Sequence, residues 1–287
     1  MRSLIPLLAL LPTLAAAAGA DVATVLKAAD RYRMGGAAEN LQVETQVTVF
    51  NRDGSTDKER RYTVFVQAGH KSLVLMRSPA EAGQKVLMLG DDFWLLLPGS
   101  QRPVRITPTQ KLLGDASTGD IATLSWAEDY TGSVVGEERC EPVPGPASEA
   151  GRSGQGAQGG PGGPGGQGGQ GGQGGKGATP GAAVPCLHLS LQAARKGLSY
   201  ARIELWVSAR RHEPLRAELY VQSDKLAKLA TFVLEPGATP ARVDEMVLAD
   251  RLASHKETRV RYLSRRPRQV PETWLNPMFL ARNPALE

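Results

Sequence analysis

The stretch Gln84-Lys-Val-Leu-Met-Leu-Gly-Asp-Asp-Phe-Trp-Leu-Leu-Leu-Pro98 constrains the fold more than any other part of the chain. Val86 to Leu89 and Phe93 to Leu97 are two short apolar runs separated by Gly90-Asp91-Asp92, which reads as a β-hairpin with a turn suited to left-handed backbone. A strand with one wet face alternates apolar and polar residues, and Phe93-Trp94-Leu95-Leu96-Leu97 has no polar position. Each face of this hairpin must therefore meet something apolar. One face can meet the core; the other invites a lid, a partner or a ligand.

The flanking segments supply the rest of a sheet. Val22, Val25, Leu26, Ala29 and Tyr32 recur at helical spacing after Asp21, an N-cap, until Gly35-Gly36 stops the pattern. Leu41, Val43, Val47 and Val49 then alternate with polar residues before the turn Asn51-Arg-Asp-Gly54, and strands follow at Arg60 to Gln67 and Leu73 to Met76. Beyond the hairpin, Val104 to Thr107 makes another short strand. From Thr109 to Trp126 the alternation is lost, and this loop with a short helix is expected to cross the sheet as a lid. Strands resume at Leu187 to Leu191, Ile203 to Val207, Leu215 to Val221, Leu226 to Leu234, Ala241 to Leu248 and Thr258 to Leu263. So many strands with short turns favour a mainly β fold with some α: a curved antiparallel sheet or open barrel covered on its concave side by helices. On these grounds alone a β-sandwich stays open.

The first twenty residues address the compartment. Arg2, the apolar stretch Leu4 to Leu14 and the small residues Ala18-Gly19-Ala20 form a secretory signal peptide, with cleavage after Ala20 and residues 21–287 left as one domain. The run is too short and proline-broken for a membrane span, and no cysteine near the cleavage site offers a lipid anchor. Residues 145–181, dominated by Gly, Gln and Pro, read as a flexible, disordered insert. Its flanks carry the two cysteines, Cys140 and Cys186, which in an oxidising compartment are expected to form one disulfide at the base of the insert.

Chemistry-bearing patterns are sparse. His70, His188, His212 and His255 are isolated from one another and from the cysteines, so no metal site is expected. Gly114 to Gly119 has the wrong spacing for a nucleophile elbow, and Lys176 is followed by Gly177 where a phosphate-binding loop needs Ser or Thr. Asp91-Asp92 belongs to turn chemistry, while Asp115 and Asp120 can cap short helices. The formal charge of +5 comes from dispersed residues, which does not point to nucleic acid. Arg259, Arg261, Arg265, Arg266 and Arg268 are the one basic concentration, suited to a solvated face or to contact with anionic lipid.

The order Ser78-Pro79, Gly83, Phe93 to Pro98, Arg102-Pro-Val-Arg105-Ile106, then Leu113-Gly-Asp-Ala-Ser-Thr-Gly-Asp120 resembles the bacterial outer-membrane lipoprotein-sorting family, LolA/LolB-like. The likeness continues through Asp129-Tyr130, Tyr200 to Leu205 and Pro214-Leu-Arg216, covering nearly all the chain between the leader and the end except the insert. It implies an open half β-barrel with a helical lid, and a periplasmic carrier that needs neither cofactor nor catalytic residue. Its cargo would be the acyl chains of a lipoprotein or another lipid, taken from an inner-membrane transporter to an outer-membrane acceptor, with transient membrane contact on the way. Within that resemblance Met76, Val86, Met88, Trp94, Leu96 and Trp206 are assigned to the cavity, and Leu112, Ile121, Leu124 and Trp126 to the lid. A register slip of one residue would exchange the faces. The family's lid often carries an aromatic residue near Ser117, which this chain lacks. The alternative is a non-enzymatic envelope adaptor that binds protein with the same sheet; a hydrolase lacks any arranged nucleophile and base.

Overall fold

In the computed structural model the chain is described over residues 21–36, 40–122, 125–141, 183–251 and 257–282. The expected leader, residues 1–20, and the insert at 145–181 lie outside the described residues. Helix α1 (Val22–Met34) starts where the Asp21 carboxylate accepts from the Thr24 N–H at 3.1 Å, and it ends at Gly35, whose φ of 74° is left-handed. Its inward face carries Val25, Leu26 and Ala29, and also Asp30 and Arg33.

The sheet is built from β1 (Leu41–Phe50), β2 (Thr56–Gln67), β3 (Lys71–Met76), β4 (Lys85–Leu89), β5 (Asp92–Leu96) and β6 (Val104–Ile106). It continues with β9 (Tyr130–Cys140), β10 (Val184–Ala193), β11 (Arg202–Ser208), β12 (Pro214–Tyr220), β13 (Leu226–Leu234), β14 (Val243–Asp250) and β15 (Glu257–Pro267). Between these two groups lie a small hairpin, β7 (Lys111–Leu113) with β8 (Ala116–Ser117), and two short helices, α2 (Thr118–Ala122) and α3 (Trp126–Asp129). The 13 large strands run β6-β5-β4-β3-β2-β1-β15-β14-β13-β12-β11-β10-β9, every described pairing antiparallel, with β15 returning to join the two meanders. Strands β6 and β9 do not pair with each other, so the curved sheet stays unclosed. Among the described residues no helix is long and apolar enough to cross a membrane.

Alternation sorts the side chains onto two faces. Val43, Val47, Val64, Val74, Val86, Phe93, Leu189, Leu205 and Val260 share the concave interior with α1, α2 and α3. On the opposite face of β2 to β5, Phe65, Leu73, Leu75, Leu87 and Leu96 form a second group with Val270, Leu275 and Leu280. Those last three belong to the chain's end, which runs through two 3-10 turns, Glu272–Leu275 and Pro277–Arg282, across the outside of the sheet. Gln67 Nε2 donates to the Val270 carbonyl at 3.2 Å, Lys85 Nζ to the Leu280 carbonyl at 3.1 Å, and Trp274 meets Phe65 edge-on at 5.8 Å. The second apolar face of the 93–97 run is thus covered by the protein's own C-terminal strap. A third outer group joins Trp206, Leu215 and the Cys140–Cys186 disulfide, whose Cα atoms are 5.9 Å apart across the β9–β10 pair.

If the strap is a packed layer, Leu280→Ala should destabilise by about 2–5 kcal/mol, as for a fully buried leucine. Met278→Ala, at a side chain 81% exposed, should stay within about 0.5 kcal/mol of wild type. Urea unfolding of the two variants compares them directly.

Candidate functional site

The interior is where the expected lid meets the sheet. Its hairpin can sit against the sheet because Gly114, at φ 55°, leaves no side chain where a Cβ would come 2.5 Å from both Thr258 Oγ1 and a Val49 methyl. The next residue, Asp115, donates its N–H to Thr258 Oγ1 at 2.9 Å. Leu113, Ile121 and Trp126 are buried in the interior group, Leu112 packs on it half-buried, and Trp126 meets Phe232 edge-on at 5.5 Å. Leu124 lies outside the described residues.

Of the residues assigned to the cavity, Met76, Val86 and Met88 do point inward and share this group. Trp94 and Leu96 do not. Phe93 and Leu95 take the inner positions of β5, while Trp94 and Leu96 lie against the strap. An all-apolar run carries no parity signal, so the sequence could not say which alternate set faces in. Trp206 is also on the outside, between the ring of His188, stacked 4.3 Å away, and the Arg216 guanidinium at 3.8 Å. Its Nε1–H donates to Glu138 at 3.0 Å.

Charged residues fasten the crossing segment. Asp120, on α2, accepts from Lys228 Nζ of β13 at 2.5 Å, from the Tyr200 hydroxyl at 2.7 Å, and from the Ser117 N–H and hydroxyl at 2.8 and 2.7 Å. The side chains of Asp120 and Lys228 are 4% and 8% exposed, so the pair is effectively dry. Burial by itself would raise the Asp120 carboxyl; Lys228 and these donors outweigh it and hold the group below its ordinary 3.8. Burial and the neighbouring Asp120 charge push the Tyr200 hydroxyl well above its usual range, so it remains a donor. On α1, Asp30 accepts from the N–H groups of Trp126 and Ala127 at 2.9 and 2.8 Å and from Ser125 Oγ at 3.1 Å. Burial raises this carboxyl despite Arg33 and those donors. Lys111 of β7 reaches Asp250 of β14 at 2.9 Å.

A further clasp links the two arms of the sheet. Arg195, in the β10–β11 turn, pairs with Asp129 of α3 at 2.8 Å and also with Asp91 in the β4–β5 turn. Gly197 approaches Asp91 so closely that a Cβ on it would lie 2.6 Å from the Asp91 Cβ. His70, in the β2–β3 turn, lies 3.3 Å from Asp129.

These fastenings went unread in the sequence, although two left a signal. Asp30 and Arg33 occupy the apolar face of α1, each four residues after Leu26 or Ala29, and Lys228 interrupts the inward set Ala230, Phe232 and Leu234. A charge in an apolar phase needs a buried partner. The space they leave is small. A cavity of about 50 Å³ lies among Arg33, Asp120, Trp126, Tyr130, Tyr200, Ile203 and Phe232, and one of about 120 Å³ among Lys111, Ser117, Tyr200, Ala227, Lys228 and Asp250; each has room for a few waters and not for an acyl chain. Among the described residues no group of three or more His, Cys, Asp or Glu side chains is placed to hold a metal ion.

An unclosed antiparallel sheet curved around an apolar interior, with a short-helix segment seated across it, is the LolA-like half-barrel. A family model described as "-like: Uncharacterized protein" matches residues 68–144 and 176–282, more than half of the chain, and the chain belongs to that family. A LolA superfamily protein of Nitrosomonas europaea has a similar structure, with TM-score 0.66 and 21% identity over 88% of this chain and 96% of that one. An outer membrane lipoprotein-sorting protein domain from Vibrio parahaemolyticus, described as putative, superposes with TM-score 0.56 and 16% identity, covering 85% and 92% of the two chains. A DUF1329 family protein of Desulfovibrio piger gives TM-score 0.57 and 20% identity over 88% and 96%. At these identities the likeness is one of fold. No curated protein matches the sequence.

Removing one member of the buried pair should be far worse than removing both. Lys228→Met strands the Asp120 carboxylate and should cost about 3–5 kcal/mol, much of it recovered in Lys228→Met/Asp120→Asn. Because Asp120 titrates lower folded than unfolded, its contribution is complete above about pH 4 and disappears as pH falls through its depressed folded value. The gap between Lys228→Met and wild type, measured by urea unfolding, should therefore narrow on acidification.

Proposed function

We propose that this protein is a non-enzymatic carrier of the cell envelope that shelters the acyl chains of a lipoprotein or other lipid in its interior. The observation that carries the reading is an apolar interior closed by a segment held through polar fastenings, chiefly Asp120–Lys228 and Asp30 with the start of α3, rather than by a covalent tie. Each methylene kept from water is worth roughly 0.8 kcal/mol, so a lipid crossing an aqueous space needs such a shelter. The free space against the segment, cavities of about 50 Å³ and about 120 Å³, is too small for an acyl chain, so cargo enters when β7, β8, α2 and α3 move off the sheet. The moving groups, Lys111 and Asp120, are ones water can solvate once exposed. The Vibrio relative is named for lipoprotein sorting, and the Cys140–Cys186 bond suits an oxidising compartment, which together support the periplasm as the site of action. An inner-membrane donor and an outer-membrane acceptor complete this reading.

Locking the segment tests it. A Cβ on Gly119 would lie 3.3 Å from the Ser199 Cβ, close to the Cβ separation of a disulfide. Gly119→Cys/Ser199→Cys should form a bond that abolishes uptake of a fluorescent fatty-acid probe, with uptake returning on reduction. Wild type treated with the same reductant serves as control. A wild type that takes up no probe, or a locked form that binds as well as wild type, would remove the carrier reading.

A further inference from the structure

One wall of the interior changes character along its length. Strands β13 and β14 pair so that Lys228 is opposite Asp250, Ala230 opposite Leu248 and Phe232 opposite Met246. With a side-chain period of two, these residues share the inner side, where Ala230, Leu248, Phe232 and Met246 belong to the interior apolar group. A single charged row therefore sits at the rim, where β13 has just begun and β14 ends, and apolar rows follow it inward. From Lys228 to Leu234 the wall runs roughly 20 Å. An acyl chain, which spans half of a hydrocarbon core about 30 Å thick, fits that length.

Both charges of the rim row are buried, Lys228 at 8% and Asp250 at 5% exposure, and the crossing segment supplies a counter-charge to each: Asp120 to Lys228 and Lys111 to Asp250. Tyr200, at the entry to β11, adds a hydroxyl that donates to the same Asp120 carboxylate at 2.7 Å. A cavity of about 120 Å³ lies at this row, bordered by Lys111, Ser117, Tyr200, Lys228 and Asp250. Asp115, 3.5 Å from Lys111, belongs to the same hairpin as that lysine. What the sheet itself presents is thus a pair of donors, Lys228 and Tyr200, beside one carboxylate, Asp250.

We propose that this row holds the polar head of the cargo and selects a zwitterionic phospholipid with a primary ammonium group, of the phosphatidylethanolamine type. Its phosphate takes the place of the Asp120 carboxylate on Lys228 and Tyr200, its ammonium takes the place of Lys111 on Asp250, and a tail lies along Ala230, Leu248, Phe232 and Met246. The proposal rests on the carrier reading and names the head that reading leaves open. A buried charge without a partner is costly, so the head that fits must answer both signs. A head with a phosphate alone neutralises Lys228 but brings a like charge beside Asp250. Choline has the right charges but no N–H to donate to the carboxylate.

Phosphatidylethanolamine, phosphatidylglycerol and phosphatidylcholine with the same pyrene-labelled acyl chain, offered to the purified protein from donor vesicles, test the proposal. Wild type should take up the ethanolamine lipid about ten-fold better than either of the others, the scale of one charge-assisted hydrogen bond. Asp250→Asn should bring phosphatidylglycerol level with phosphatidylethanolamine or above it, a change of preference that a loss of stability alone does not produce. Lys228→Met/Asp120→Asn, which strands no charge between the two positions, should lower uptake of the ethanolamine lipid about ten-fold. Equal uptake of all three lipids by wild type would overturn the head assignment and leave the carrier reading standing, and that comparison needs no variant to fold. An unchanged preference in folded Asp250→Asn would overturn it as well. Uptake of none of the three would remove the carrier reading and this proposal together.

Discussion

The arm of the sheet from β2 to β5 is buried on both faces, and much of the architecture follows from that. Its inner face closes against the interior and the outer one against the C-terminal strap, so Val86 and Leu87, adjacent in sequence, belong to different apolar groups. An antiparallel sheet ordinarily leaves one face to water. Here the chain's end supplies the missing layer, and the strap's hydrogen bonds from Gln67 and Lys85 seat it in one place. The consequence is direct: the outer face of this arm is already occupied by the protein's own chain.

The interior joins two kinds of contact with different responses to opening. Apolar contacts such as Trp126 on Phe232 resist exposure to water, whereas the fastenings of Asp120 and Asp30 trade one set of polar partners for another. A dry ion pair is a poor source of net stability but a strong determinant of position, because a single stranded charge is so unfavourable. Asp120 with Lys228, Tyr200 and Ser117 therefore defines where the crossing segment sits. Lys228 and Asp250 are register partners on β13 and β14, so in the proposed open form, with Lys111 and Asp120 withdrawn, the two charges left on the sheet would be neighbours. That arrangement lowers the cost of an open state.

Much of this was determined by the sequence alone. Alternation in Leu41 to Val49 and Leu187 to Leu191, the Gly90 turn and the ordered family series implied a curved antiparallel half-barrel, and the two cysteines implied the bond that joins β9 to β10. The uninterrupted run Phe93 to Leu97 correctly required two apolar neighbours, because a polar-free strand has no face to give to water. What covers the second face was decided only in the tertiary structure: the strap lies some 180 residues downstream, and local pattern carries no information about a distant layer. The same limit misplaced Trp94, Leu96 and Trp206, since parity within an all-apolar run, and the side a tryptophan takes, depend on which layer each face meets. The Asp120–Lys228 pair was hidden for a related reason. Each residue alone reads as a cap or a surface charge, and only their juxtaposition across 108 positions makes them the clasp of the interior.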